Sequence, residues 1–212
     1  MKFAHTILNY LIALTLSLVS GVMAEAQKRG DDASVIKAAE TTLGQDMEFF
    51  VKTARSARFG DKQVTEDDSA VKIRMKGRVA GHSGSYMVTA CTKDGCEKIH
   101  HVGVFLPEEQ NWEGLKKDYD NLKSQLIALY GSPKETSETF IGTEPASNEG
   151  KMAALKCDGT DFTTKFTRGD TTILLSITYA EQYGAHVGML FIDGQMAEDV
   201  AASLNDGLRR DK

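Results

Sequence analysis

Residues 111–133 read Asn-Trp-Glu-Gly-Leu-Lys-Lys-Asp-Tyr-Asp-Asn-Leu-Lys-Ser-Gln-Leu-Ile-Ala-Leu-Tyr-Gly-Ser-Pro. Trp112, Leu115, Tyr119, Leu122, Leu126 and Leu129 alternate three and four apart, which is the period of one helix face. Asn111 is placed to cap the start, and Gly131 followed by Pro133 stops the helix. One stripe is apolar, so this helix should lie on a core, with Lys116, Lys117, Asp118, Asn121 and Lys123 pointing away from it.

Strand signals lie on both sides of this helix. Before it, residues 71–79, 84–92 and 96–106 alternate or run apolar, closed by Pro107. After it come a weak strand at 136–141 and strand signals at 151–157, 161–168, 171–180 and 185–192. Asp-Gly pairs at 94, 158 and 193, and Gly169, fall in the gaps, as tight turns between antiparallel strands require. An earlier helix is expected from Ala33 to Leu43 and from Gln45 to Arg58, bent at Gly44 and stopped at Gly60. Residues 61–69 are polar and acidic and read as a loop, and Gln195–Arg210 reads as a short terminal helix. A helix-then-meander order stated twice predicts an α+β fold, with helices on one face of an antiparallel sheet. Two similar halves are expected, about 33–107 and 108–194, within one domain spanning 27–212.

The N-terminus has the layout of an export signal. Lys2 precedes the apolar run Leu11–Val19, and the small-residue site Ala24-Glu25-Ala26 follows. The run is shorter than the roughly 20 residues a membrane span needs. A signal peptide of residues 1–26, cleaved near Ala26, is therefore expected, with a periplasmic or secreted product and no stable membrane anchor. Lys2 and Glu25 leave together, so the net charge of −5 is unchanged. That balance argues against a general nucleic-acid binder.

In an exported chain the cysteines bear on structure. Cys91 and Cys96 flank Thr92-Lys93-Asp94-Gly95, and a four-residue hairpin loop would set them opposite each other, within disulfide reach. A two-residue Asp94-Gly95 turn would instead pair Cys91 with Lys98. Cys157 reads as a small buried apolar residue. The three cysteines lack zinc-site spacing.

From Lys76 to Ile192 the chain resembles a family of uncharacterised exported proteins of gut-type bacteria. The shared pieces are Lys76-Gly77 with Ala80-Gly81, then Val102-Gly-Val-Phe-Leu-Pro107, then the Trp112 to Pro133 helix motif. Glu149-Gly150-x-Met152 with Ala154, and the strand Thr172 to Ile177, complete them. The resemblance implies a fold and an exported address. Its helix-plus-meander order is similar to that of β-lactamase inhibitor proteins, which grip a partner with a concave sheet face.

Catalytic motifs are not recognisable. Ser34-Val-Ile-Lys37 and Ser69-Ala-Val-Lys72 match Ser-x-x-Lys, but the partner motifs of penicillin-binding enzymes are missing. Gly81-His82-Ser83-Gly84-Ser85 lacks the final Gly of a nucleophile elbow and sits between strands, so it reads as a turn. His100 and His101 face opposite ways on a strand and cannot share an ion. No cofactor, metal or catalytic residue is nominated. Arg-Gly-Asp occurs at 29–31 and at 168–170, where a Gly-Asp turn explains the second without a receptor.

The positive signal is the first strand. Lys72, Arg74, Lys76 and Arg78 alternate with Val71, Ile73, Met75, Gly77 and Val79, which sets four cations in one row about 6.6 Å apart. Such a row could face an acidic protein or an anionic polymer such as a sulfated or uronic glycan; solvated strand cations that discourage edge pairing would look the same. The expectation is a non-catalytic binding module of the cell envelope that takes a protein or polymer. The alternatives are a small-ligand carrier with a pocket between helices and sheet, and a hydrolase of unrecognised motif.

Overall fold

The computed structural model describes residues 32–67, 70–92, 98–181 and 183–194. The expected signal peptide, Arg29-Gly30-Asp31, Ser69, Cys96 and the terminal helix Gln195–Arg210 lie outside these residues. The structure is α+β, with an eight-stranded antiparallel sheet and four helices among the described residues.

The first helix, α1 (32–41), is separated from α2 (Met47–Ser56) by a turn in which Gly44 has φ +71°. The expected single bent helix is thus two. Asp46 caps α2 by accepting from the Phe49 N–H at 2.6 Å, and Gly44 and Gln45 hydrogen-bond to the backbone of Ile99. Then follow β1 (Gly60–Glu66), β2 (Ala70–Val79), β3 (His82–Thr92) and β4 (His101–Phe105). After α3 (Trp112–Tyr130) come β5 (Glu135–Phe140), α4 (Asn148–Lys156), β6 (Thr160–Arg168), β7 (Thr171–Ala180) and β8 (Gly184–Asp193).

The sheet order is β1-β2-β3-β4-β8-β7-β6-β5. Each half of the chain is a meander numbered inward from an edge, and the two join at their last strands, from His101↔Ile192 to Phe105↔Gly188.

Three expectations of secondary structure are corrected. Residues 61–66 form part of edge strand β1 rather than a loop. All seven β1 residues are exposed, so no alternation marks the strand. Residues 151–156 belong to helix α4 rather than a strand. The Ser147 side chain accepts from the Gly150 N–H at 3.0 Å, Glu149 and Lys156 suit the two ends of the dipole, and Met152 and Leu155 are buried three apart. Asp158-Gly159 accordingly ends a helix, with Asp158 at φ +55°, instead of turning between strands.

Helix α3 begins as its cap requires, with the Asn111 side chain accepting from the Gly114 N–H at 2.8 Å. Its buried stripe is Trp112, Leu115, Tyr119, Leu122 and Leu126, but Leu129 is exposed and Asp118 is buried, the reverse of the expected placement of both. Asp118 turns inward because His82, at the start of β3, meets it at 3.0 Å.

One side of the sheet carries Ile73, Met75, Met87, Val102, Val104, Met189, Phe191, Leu175 and Phe166, all in one core with the helices. Helix α2 packs on β1 and β3, α3 on β6, β7 and β8, and α4 on β7. Burial pushes the Tyr119 hydroxyl up to about 12, against the pull of its 2.6 Å bond to Thr164. Burial also works to raise the Glu138 carboxyl on β5; the hydrogen bond and charge of Lys123, joined by Lys116, more than offset it and hold Glu138 below its ordinary range.

Candidate functional site

Strand alternation and the observed register decide what stands on the second face, opposite the helices. Ile73, Met75 and Val79 are buried in the core, so Lys72, Arg74, Lys76 and Arg78 share the other side. The register carries this row across the sheet, from Arg74 to Val88, Gly103, Leu190, Leu174, Lys165 and Glu135. A parallel row runs from Lys76 through Tyr86 and Phe105 to Gly188.

The middle of this face is apolar and close-fitting. A Cβ on Gly103 would lie 2.3 Å from the Phe105 ring, and one on Gly188 would lie 2.8 Å from it. The ring therefore lies flat on two adjacent strands where both lack a side chain. His186 meets the Phe105 ring edge to face at 5.7 Å. Its Nδ1 faces the Gly184 carbonyl at 3.1 Å, which can only accept, so Nδ1 carries the proton and Nε2 accepts from the Thr178 hydroxyl at 3.2 Å.

The cations are not equivalent. Lys72 is paired with Asp67 at 2.7 Å. Arg74 is held by rings instead: its guanidinium carbon is 3.5 Å from the centre of the Tyr86 ring and 5.6 Å from that of Tyr183. Among the described residues it has no ion-pair partner, and its Nε is enclosed with no protein acceptor. Lys76 and Arg78 are exposed. Arg74, Lys76 and Tyr86 line a groove of about 380 Å³ together with Asp61, Lys62 and Gln63 of β1. Only part of the predicted row thus converges: Lys72 is neutralised locally, and Arg78, beyond the irregularity between Gly77 and Arg78, does not line the groove.

A second groove, of about 520 Å³, lies at the other end of the same face, lined by Glu135, Ser137, Asp161, Thr163, Lys165 and Leu174 among others. Its two carboxylates outnumber the single cation Lys165, in contrast to the basic groove.

Tyr86, Tyr183, Lys62 and Gln63 were not singled out from sequence. Counting outward from the Ala80-Gly81 turn sets Ser85 opposite Lys76; the one-residue register shift between Gly77 and Arg78 brings Tyr86 there instead, and no sequence signal marks it. Lys62 and Gln63 were hidden by the reading of β1 as a loop, and nothing in the sequence ties Tyr183 to Arg74.

The other sequence candidates are dispersed. Ser34 and Lys37 are exposed on α1. The Ser85 hydroxyl donates to the His82 backbone carbonyl at 3.2 Å, so the His82–Asp118 pair has no serine on its ring from that turn. His101, half-buried on the second face, and His186 are both held below the ordinary imidazole value: His101 by burial, then by the charges of His100 and Lys72, and His186 by burial against the pull of its Gly184 bond. No three His, Cys, Asp or Glu side chains converge among the described residues as a metal would need. Arg168 of the second Arg-Gly-Asp is drawn back to Glu40 at 3.4 Å.

Cys91 is buried at the end of β3. The β3–β4 register, set by Ala90↔His101, is wider than either tight hairpin expected from the Cys91–Cys96 spacing, and Cys96 is outside the described residues. Cys157 is exposed beside the end of α4 rather than buried, because the strand expected to enclose it is a short helix that stops there. No helix among the described residues is long and apolar enough to cross a membrane. No family model matches the chain, and no curated protein or solved structure matches it.

Proposed function

We propose that this chain is an exported, non-catalytic binding module that takes a protein or anionic polymer on the sheet face opposite its helices. The observation that carries this reading is the stationing of Lys72, Arg74, Lys76 and Arg78 on that face, with Arg74 and Lys76 gathered into a groove with Lys62 and Tyr86. A cationic face attracts and orients an acidic partner. A groove of about 470 Å³ beside Trp112, Phe140, Lys151 and Phe162 lies on the helix side, but it opens to solvent and carries mixed charge; the concentration of cations on the second face favours a surface binder over a carrier. Two helix-led meanders joined edge to edge also resemble the plan of β-lactamase inhibitor proteins, and by that analogy the second face is the gripping one.

The test is capture. Immobilised protein, with its signal removed, is exposed to the envelope fraction and surroundings of the producing cell, beside the double variant Lys76→Glu, Arg78→Glu. Retention of a partner by the parent protein, its loss in the variant and its release by about 0.5 M salt support the reading. Equal retention by both proteins overturns it.

A further inference from the structure

We infer that Arg74 is a seat for a carboxylate, carried by an acidic segment of a partner protein. The inference rests on the reading of the second face as a binding surface, and adds which residue does the recognising and what it recognises.

Arg74 is set apart from the other cations of the sheet by the rings that hold it, since Lys62, Lys76 and Arg78 likewise have no ion-pair partner among the described residues. Lys72 has Asp67, Lys165 has Glu135 and Arg168 has Glu40 within ion-pair distance. No described carboxylate plays that part for Arg74. The guanidinium is positioned by Tyr86 at 3.5 Å and Tyr183 at 5.6 Å, contacts that use the flat face of the group and leave its edge donors unspent. A planar, always-charged fork held by its face is preorganised for two parallel bonds to a carboxylate. Lys62 and Lys76 raise the local potential, and Asp61 is the acidic lining residue that opposes them. The Nε is enclosed and out of a partner's reach, so the two bonds to a carboxylate fall to the terminal Nη donors.

The same geometry discriminates between partners. A uronic glycan would be expected to lay a sugar ring on an aromatic face, but the Tyr86 ring already carries the Arg74 guanidinium stacked on it at 3.5 Å. A peptide carboxylate needs no ring and reaches the fork directly.

Binding of an oligoglutamate peptide of about ten residues to the full chain, measured calorimetrically at low salt, tests the seat against heparin fragments and oligogalacturonate. The expected result is oligoglutamate binding that falls about tenfold in Arg74→Lys, which keeps the charge and loses the fork, and changes less than about twofold in Arg55→Lys, on the exposed last turn of α2 and outside the binding face. Arg74→Gln should fall at least as far as Arg74→Lys, with far-ultraviolet dichroism unchanged in all three. Absence of oligoglutamate binding, equal losses in the Arg74 and Arg55 variants, or tighter oligogalacturonate binding overturns the seat. Heparin bound more tightly and weakened equally by either substitution also overturns it, in favour of a diffuse field. The two proposals fail separately: capture of a partner without oligoglutamate binding removes the Arg74 seat alone, and oligoglutamate binding without capture removes the module reading alone.

Discussion

The Arg74 guanidinium carbon lies 5.6 Å from the centre of the Tyr183 ring, although β3 and β4 stand between β2 and β8, the strand that Tyr183 precedes. Three strand spacings of about 4.8 Å separate β2 from β8. Arg74 and the turn residue Tyr183 therefore lean toward each other over β3 and β4 on the second face.

Arg74 should consequently contribute little to stability. Replacing it by Met, similar in length and uncharged, removes an enclosed donor without an acceptor and a charge without a counter-ion, against the loss of a ring contact worth about 1 kcal/mol. Chemical denaturation of Arg74→Met should show a change within about 1 kcal/mol of the parent. A loss beyond about 2 kcal/mol would make Arg74 a structural residue and weaken its assignment as a seat.

Gly103→Ala should destabilise the protein by about 1–3 kcal/mol, because the added methyl meets the Phe105 ring at 2.3 Å. The ring must swing away and uncover the middle of the second face. In a Phe105→Leu background the same substitution should cost appreciably less. A double-mutant cycle with no coupling would show that something other than the ring sets the requirement for glycine.

Asp32 is buried, accepts from the Ala80 N–H at 2.6 Å and receives a 3.0 Å bond from the Gln125 amide, so α1 pins the β2–β3 turn and α3 together. Asp32→Ala strands a buried N–H and should cost about 2–3 kcal/mol, the range for a hydrogen bond to a charged group. Asp32→Asn keeps an acceptor for Ala80 and should cost less than half as much. Equal losses for the two would mean that charge, and not hydrogen bonding, holds the turn.

Stability should fall on mild acidification. His101 and His186 bind a proton less readily when folded than the ordinary value of 6.5. Their contribution is complete above pH 6.5 and is lost as the pH falls from 6.5 toward their folded-state values, because the unfolded chain takes up protons first. The melting temperature should drop between about pH 7 and pH 5, and the double variant His101→Gln, His186→Gln should flatten that decline. An unchanged slope would reject the assignment.

What could be read from sequence divides along burial. Helix α3 was legible because its apolar residues repeat at three and four and Asn111 caps it, and β2 and β7 because one side of each enters the core. Strand β1 was invisible since no side chain of it is buried, and α4 because nine residues with Met152 and Leu155 as anchors read equally as a short apolar strand. Asp118 is buried for a tertiary reason, the arrival of His82 from β3, whereas Leu129 is exposed near the end of α3 with no such partner to explain it. The cation row was legible from the alternation of β2, but the difference between Lys72 and Arg74 depends on Asp67, Tyr86 and Tyr183, which the alternation does not reach.

The join between β4 and β8 sets an order of events in time. His101 finds its neighbour at Ile192, whereas β1–β2, β2–β3, β6–β7 and β7–β8 close as local hairpins and β5 reaches β6 across helix α4. The two meanders can form first, but Val102 and Val104 stay on a raw edge until β8 has emerged from the ribosome. An interrupted chain ending before Gly184 would present that edge to its neighbours, so orderly synthesis of this protein depends on β8 arriving before another molecule's edge does.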